Sequence, residues 1–193
     1  MNEELLHRLI YQAIAASDST RLREYAYAME TSALEVDQFA EHNFELILDL
    51  LNQRNFLEMT GSFYILRVLE NNWESLSDEQ KERLLPALET AYGLFNDWMS
   101  WFVISELLGE YFGDEQALRV LSCLKTLRGE GPRSLVPHGL EHIVKGAGDE
   151  ELVRKAYTEL LRMGNDPSEQ VRDEVSLSLQ RLANREHTSK PSE

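Results

Sequence analysis

Apolar side chains recur every three to four positions along almost the whole chain, and no stretch alternates with the two-residue period of a half-buried strand. The pattern predicts helices over 3–16, 20–32, 37–52, 57–71, 77–92, 97–111, 114–128, 133–145, 149–163 and 168–184. The breaks carry capping and turn chemistry. Ser77-Asp78-Glu79-Gln80 reads as a capping box, with Ser77 and Gln80 exchanging bonds with each other's backbone. Gly113-Asp114, Gly129-Glu130-Gly131-Pro132 and Gly146-Ala147-Gly148-Asp149 separate later helices. Asn165-Asp166-Pro167 opens the last helix, with Pro167 where a helix tolerates it best. An all-α fold of about ten helices is expected, in one domain over 1–185. Residues 186–193 are polar and aperiodic, and are expected to be a disordered tail.

Taken in pairs, the helices begin near Asp37, Ser77, Asp114 and Asp149, a spacing of 35 to 40 residues. Two-helix units at that period mark an α-solenoid of antiparallel helix pairs. Asp166-Pro167-Ser168-Glu169-Gln170-Val171-Arg172, followed by Leu179 and Leu182, resembles the second helix of a HEAT repeat. The resemblance is sharp over this segment and only patterned over 37–184. HEAT proteins often ladder the Asp and Arg from unit to unit. Counting back by the repeat offsets places Trp98 and Ser134 at the position of Arg172, so the earlier units are expected to lack the ladder.

The fold implied by this resemblance lines its inner surface with second helices. Segment 97–111 is apolar on nearly all sides, as a flanked central helix should be, and Trp98, Trp101, Phe102, Leu107 and Leu108 are expected in the core. The remaining stripe, Met99, Val103, Glu106 and Glu110, maps onto Tyr64 and Arg67 in one neighbouring unit and His142 in the other. This line is the expected inner ridge and partner-binding surface.

Charge adds a direction. The chain has 193 residues and a formal charge of −15, and its first 112 residues hold 20 acidic and 7 basic side chains. Such a field repels phosphate backbones and anionic lipid and accelerates encounter with a basic protein. Neither nucleic acid nor membrane is an expected partner. Asp37, Glu41, Glu45 and Asp49 lie four apart on one predicted helix, where like charges repel by about 0.2–0.5 kcal/mol per pair. Stability alone does not favour that stripe, and a basic partner would. Cys123 has no partner for an internal disulfide and falls within an apolar pattern, so it reads as a buried thiol. No signal peptide and no membrane-length apolar run is visible, which points to the cytoplasm.

Candidate catalytic chemistry is sparse. His138-Gly139-Leu140-Glu141-His142 formally matches H-x-x-E-H, in which two histidines one turn apart bind zinc beside a glutamate base. Peptidases that carry the motif need a larger domain and a downstream ligand, and the 51 residues after His142 read as two repeat helices and a tail. No phosphate loop, nucleophile elbow or cysteine–histidine constellation is present. No catalytic residue, metal or cofactor is therefore expected. Small acidic HEAT-like chains resemble some bacterial immunity proteins, which bind and occlude a cognate toxin domain. That resemblance implies a non-catalytic inhibitor of a basic partner. The alternatives are a general HEAT-like adaptor or scaffold and, behind it, a lyase-type or metal-dependent enzyme. A glycosylase needs a basic concave face and a tetrapyrrole lyase needs a pocket for an acidic ligand, and −15 disfavours both.

Overall fold

A computed structural model describes residues 3–33 and 39–188 of the chain. All regular structure among the described residues is helical. The chain forms two compact units, Met1–Ile104 and Ser105–Glu193.

The first unit contains α1 (Glu3–Ala15), α2 (Ser19–Ala33), α3 (Glu41–Leu50), α4 (Arg54–Glu58), α5 (Phe63–Asn71), a 3-10 turn (Trp73–Ser75), α6 (Asp78–Tyr92) and most of α7 (Trp98–Glu106). Helix α1 packs on α2 and α4, α2 on α5, and α3 on α6. Ile10, Leu22, Phe44, Ile47, Phe56, Ile65 and Tyr92 lie within its core. The predicted capping box forms: Gln80 N donates to Ser77 Oγ at 3.2 Å, and Ser77 N donates to Gln80 Oε1 at 3.0 Å. The segment expected as one helix over 57–71 is two, because Gly61 turns the chain at φ +96°. A Cβ there would strain the backbone and lie 2.9 Å from Ser19 Cβ.

The second unit begins at the end of α7 and continues as a π-helical stretch (Leu107–Phe112). It then holds α8 (Glu115–Leu124), α9 (Glu130–Ser134), α10 (Val136–Gly146), α11 (Glu150–Met163) and α12 (Glu169–Thr188). Helix α10 is its hub, packed against the π stretch, α8, α11 and α12. The helix expected over 133–145 is broken at Leu135. Pro137 has no N–H for the carbonyl of Arg133, and its ring crowds that carbonyl. The Leu135 N–H takes the Arg133 carbonyl instead.

One local correspondence differs from the one expected by counting along the sequence. Arg172 Nη1 donates to the carbonyls of Asp166 (2.7 Å) and Pro167 (3.0 Å). Arg133 Nη1 does the same six and five residues back, to Leu127 (2.8 Å) and Arg128 (3.0 Å). Arg133, not Ser134, therefore stands where Arg172 stands. Its Nε and Nη2 grip Asp166 at 3.1 and 2.9 Å, which is an Asp–Arg rung between the two segments.

Three further expectations on burial are corrected. Trp98 is 48% exposed rather than core, whereas Val103, expected on the ridge, is fully buried. An all-apolar helix has no polar face to fix its rotation, so packing chose which side turned inward. Cys123 is exposed, not buried. No helix among the described residues is long and apolar enough to cross a membrane. Helix α12 runs on to Thr188, and 189–193 of the expected tail lie outside the described residues.

Candidate functional site

Of the acidic stripe, Glu41, Glu45 and Asp49 are exposed along α3, and Asp37 lies outside the described residues. The opposite face of α3 explains their direction: Phe44, Ile47 and Leu50 are buried, so Glu41, Glu45 and Asp49 point outward. The like charges are not left to repel one another. Arg83 of α6 pairs with Glu41 at 2.7 Å and with Glu45. Gln80 also donates to Glu41 at 2.8 Å, and these two donors, Gln80 first, hold the Glu41 carboxyl below its usual range. Asp49 accepts from the Tyr11 hydroxyl and from Gln53, each at 2.6 Å. Burial, then the bond and the charge of Asp49, push the Tyr11 phenol up to about 12. The acidic row thus continues onto α1 through an aromatic side chain that is itself exposed.

The first-unit members of the expected ridge have local partners or are buried. Tyr64 is half-buried under the Arg23 guanidinium, 5.8 Å from its ring centre. Arg67 pairs with Glu70 on its own helix, Met99 is half-buried, and Val103 is core.

Glu106, Glu110 and His142 do come together, and they bring His138 with them. His138 and His142 occupy one face of α10, their rings edge to face with centres 4.6 Å apart. His138 Nε2 is 3.8 Å from Glu106 Oε1, beyond hydrogen-bond reach, and His142 Nδ1 is 3.0 Å from Glu110 Oε2. Donor atoms of Glu106, His138 and His142 all lie within 4.8 Å of one another. Burial first, and then the neighbouring His138, push the His142 imidazole below its ordinary value, with Glu110 opposing.

Two glycines make the convergence possible. A Cβ on Gly109 would fall 2.2 Å from the Gly139 carbonyl oxygen and 2.8 Å from His142 Cβ. One on Gly139 would fall 2.8 Å from Leu121 Cδ2 and 3.0 Å from the Ser105 carbonyl oxygen. The π stretch and α10 therefore cross almost backbone to backbone, close enough for Glu106 and Glu110 to reach the two histidines. The glycine inside each apolar helix is the sequence signal for this crossing.

The glutamate of the H-x-x-E-H match does something else. Glu141 is 1% exposed and accepts from Arg181 Nε at 3.0 and 2.9 Å and from Lys145. Burial raises its pKa, but bonds from Arg181, Lys145 and Ser178 outweigh that and hold the carboxyl below its usual range. A carboxylate held by two cations is a poor general base, so the motif's peptidase arrangement is absent here. Comparison with protein-family models, with curated proteins and with solved structures finds no match for this chain.

Proposed function

We propose that the protein is a non-catalytic, HEAT-like binding module that holds a basic protein partner on the acidic face formed by α3 and α1. The observation that carries this reading is the exposed row Glu41, Glu45 and Asp49, linked through a hydrogen bond to exposed Tyr11. Carboxylates around an aromatic side chain suit a partner that presents lysine or arginine, since aromatic anchors and charge complementarity dominate many interfaces. Arg83 lies across Glu41 and Glu45, and an incoming guanidinium would compete with it. The Arg133–Asp166 rung supports the HEAT-like assignment. Inhibition of a cognate toxin domain, by occlusion in the cytoplasm, is the specific form that we favour; an adaptor of the same architecture is the broader one.

The docking surface proposed is not the ridge expected from the sequence, because Val103 is core and Glu106 faces His138. Affinity capture from an extract of the native source, with the wild type and with Glu45→Lys/Asp49→Lys, tests the proposal. A basic protein retained in stoichiometric amount by the wild type and lost by the variant is expected. Equal retention by both would remove the acidic face from the interface.

A further inference from the structure

We propose that Glu106, His138 and His142 bind one divalent transition-metal ion of the zinc class, with Glu110 fixing the orientation of His142. The donor set is two imidazoles and a carboxylate, the combination that such ions take in sites with an open position. The geometry is close to what coordination requires. Ligands about 2.0–2.1 Å from a tetrahedral ion lie about 3.4 Å apart, and His138 Nε2 is already 3.8 Å from Glu106 Oε1. One donor atom from each of the three residues lies within 4.8 Å of the others, and a bound ion would draw them closer. The side chains of Glu106, His138 and His142 keep 17%, 17% and 19% of their surface exposed, so the cluster lies just beneath the surface of the second unit.

Glu110 supplies the supporting shell. Its carboxylate at 3.0 Å from His142 Nδ1 selects the tautomer protonated there and leaves Nε2 as the donor. Histidine ligands are commonly held by a carboxylate in this way. The backbone crossing at Gly109 and Gly139 fixes the two helices that carry the donors. The ligand glutamate is Glu106, from the end of α7, and not Glu141 of the H-x-x-E-H match. An ion here would tie the end of α7 to α10 inside the second unit. It requires nothing of the acidic face on α3.

The full chain, stripped with chelator and dialysed, is titrated with zinc ion by calorimetry and with cobalt(II) ion by visible absorption. One equivalent binding with a Kd of about 10 μM or tighter is expected, together with a rise in Tm on adding zinc. His138→Ala and His142→Ala should each abolish the stoichiometric step, and Glu106→Gln should weaken it at least about 10-fold. Glu110→Gln, at a position 56% exposed, should weaken it about 10- to 100-fold with the stoichiometry unchanged. His7→Ala, in the separate His7–His42 pair, should bind like the wild type. Circular dichroism establishes that each variant is folded. If the histidine variants do not fold, Glu110→Gln and the cobalt spectrum of the wild type decide the matter. A spectrum of hydrated cobalt only, no saturable zinc binding up to about 100 μM, or unchanged binding in Glu110→Gln would overturn the proposal.

Discussion

Asp166 shows how much one side chain can carry. It is 10% exposed, accepts the Arg133 fork at 3.1 and 2.9 Å, and accepts the Ser168 N–H at 2.9 Å. Burial raises its pKa, but Arg133 first, then the Ser168 N–H, outweigh that and hold it below the ordinary 3.8. Asp166→Asn keeps the shape and leaves Arg133, 11% exposed, without its counter-charge. A loss of about 2–4 kcal/mol in unfolding free energy is expected from urea melts near neutral pH. Because the folded pKa is the lower one, the unfolded chain binds the proton first as pH falls below 3.8. The wild-type advantage is therefore full above that value and disappears as pH falls through the folded pKa. Melts at successive pH values should show the two proteins converging on the acid side. A constant gap would mean that the carboxylate charge is not what stabilises the rung.

Among the helices, the crossing of the π stretch with α10 is the most demanding contact. Alanine in place of a helical glycine ordinarily helps by about 0.4–1 kcal/mol. Gly146, at the end of α10, meets nothing within 4 Å of a built Cβ, so Gly146→Ala should follow that rule. Gly109→Ala should not. Its Cβ would lie 2.2 Å from a backbone oxygen, which cannot swing aside as the tip of a flexible side chain can. The helices must part, and a destabilisation of about 1–3 kcal/mol is expected in thermal or urea melts. Parting them also separates Glu106 and Glu110 from the two histidines, so zinc affinity should fall in the same variant. If Gly109→Ala is as stable as Gly146→Ala, the close crossing is wrong. The capping box is a smaller device of the same rank: Ser77→Ala removes one acceptor and should cost about 1 kcal/mol.

At the scale of the whole molecule, the charge is a long-range effect laid over a local one. The first unit, with 18 acidic and 7 basic side chains, carries most of the −15. Its field should raise the association rate of a basic partner and lose that advantage as salt shortens the Debye length from about 10 Å at 0.1 M. Glu41→Lys/Glu45→Lys reverses part of that field and repels Arg83, which bridges the two carboxylates in the wild type. These groups are exposed, so a stability change below about 1 kcal/mol is expected. Surface plasmon resonance against the captured partner should show slower association at low salt and a smaller difference at high salt. A salt-independent difference would point to lost local contacts instead.

The sequence by itself determined the all-α class, nearly every helix, and the capping box, because helical period and capping are written within a few neighbouring residues. It also determined that Glu41, Glu45 and Asp49 face outward, since Phe44, Ile47 and Leu50 must face in. It could not rotate α7, whose apolar residues surround the helix, so Trp98 and Val103 exchanged their expected places. Nor could it foresee Arg83 across the acidic row, a contact 38 and 42 residues away in the chain. The His138–His142 pair was visible as a spacing, but its neighbours were not: Glu141 lies one residue from His142 and turns to Arg181, while Glu106 lies 32 residues before His138 and faces it. Sequence proximity fixes which side chains share a helix. The approach of one backbone to another, here permitted by two glycines that bring no side chain between them, decides which donors meet.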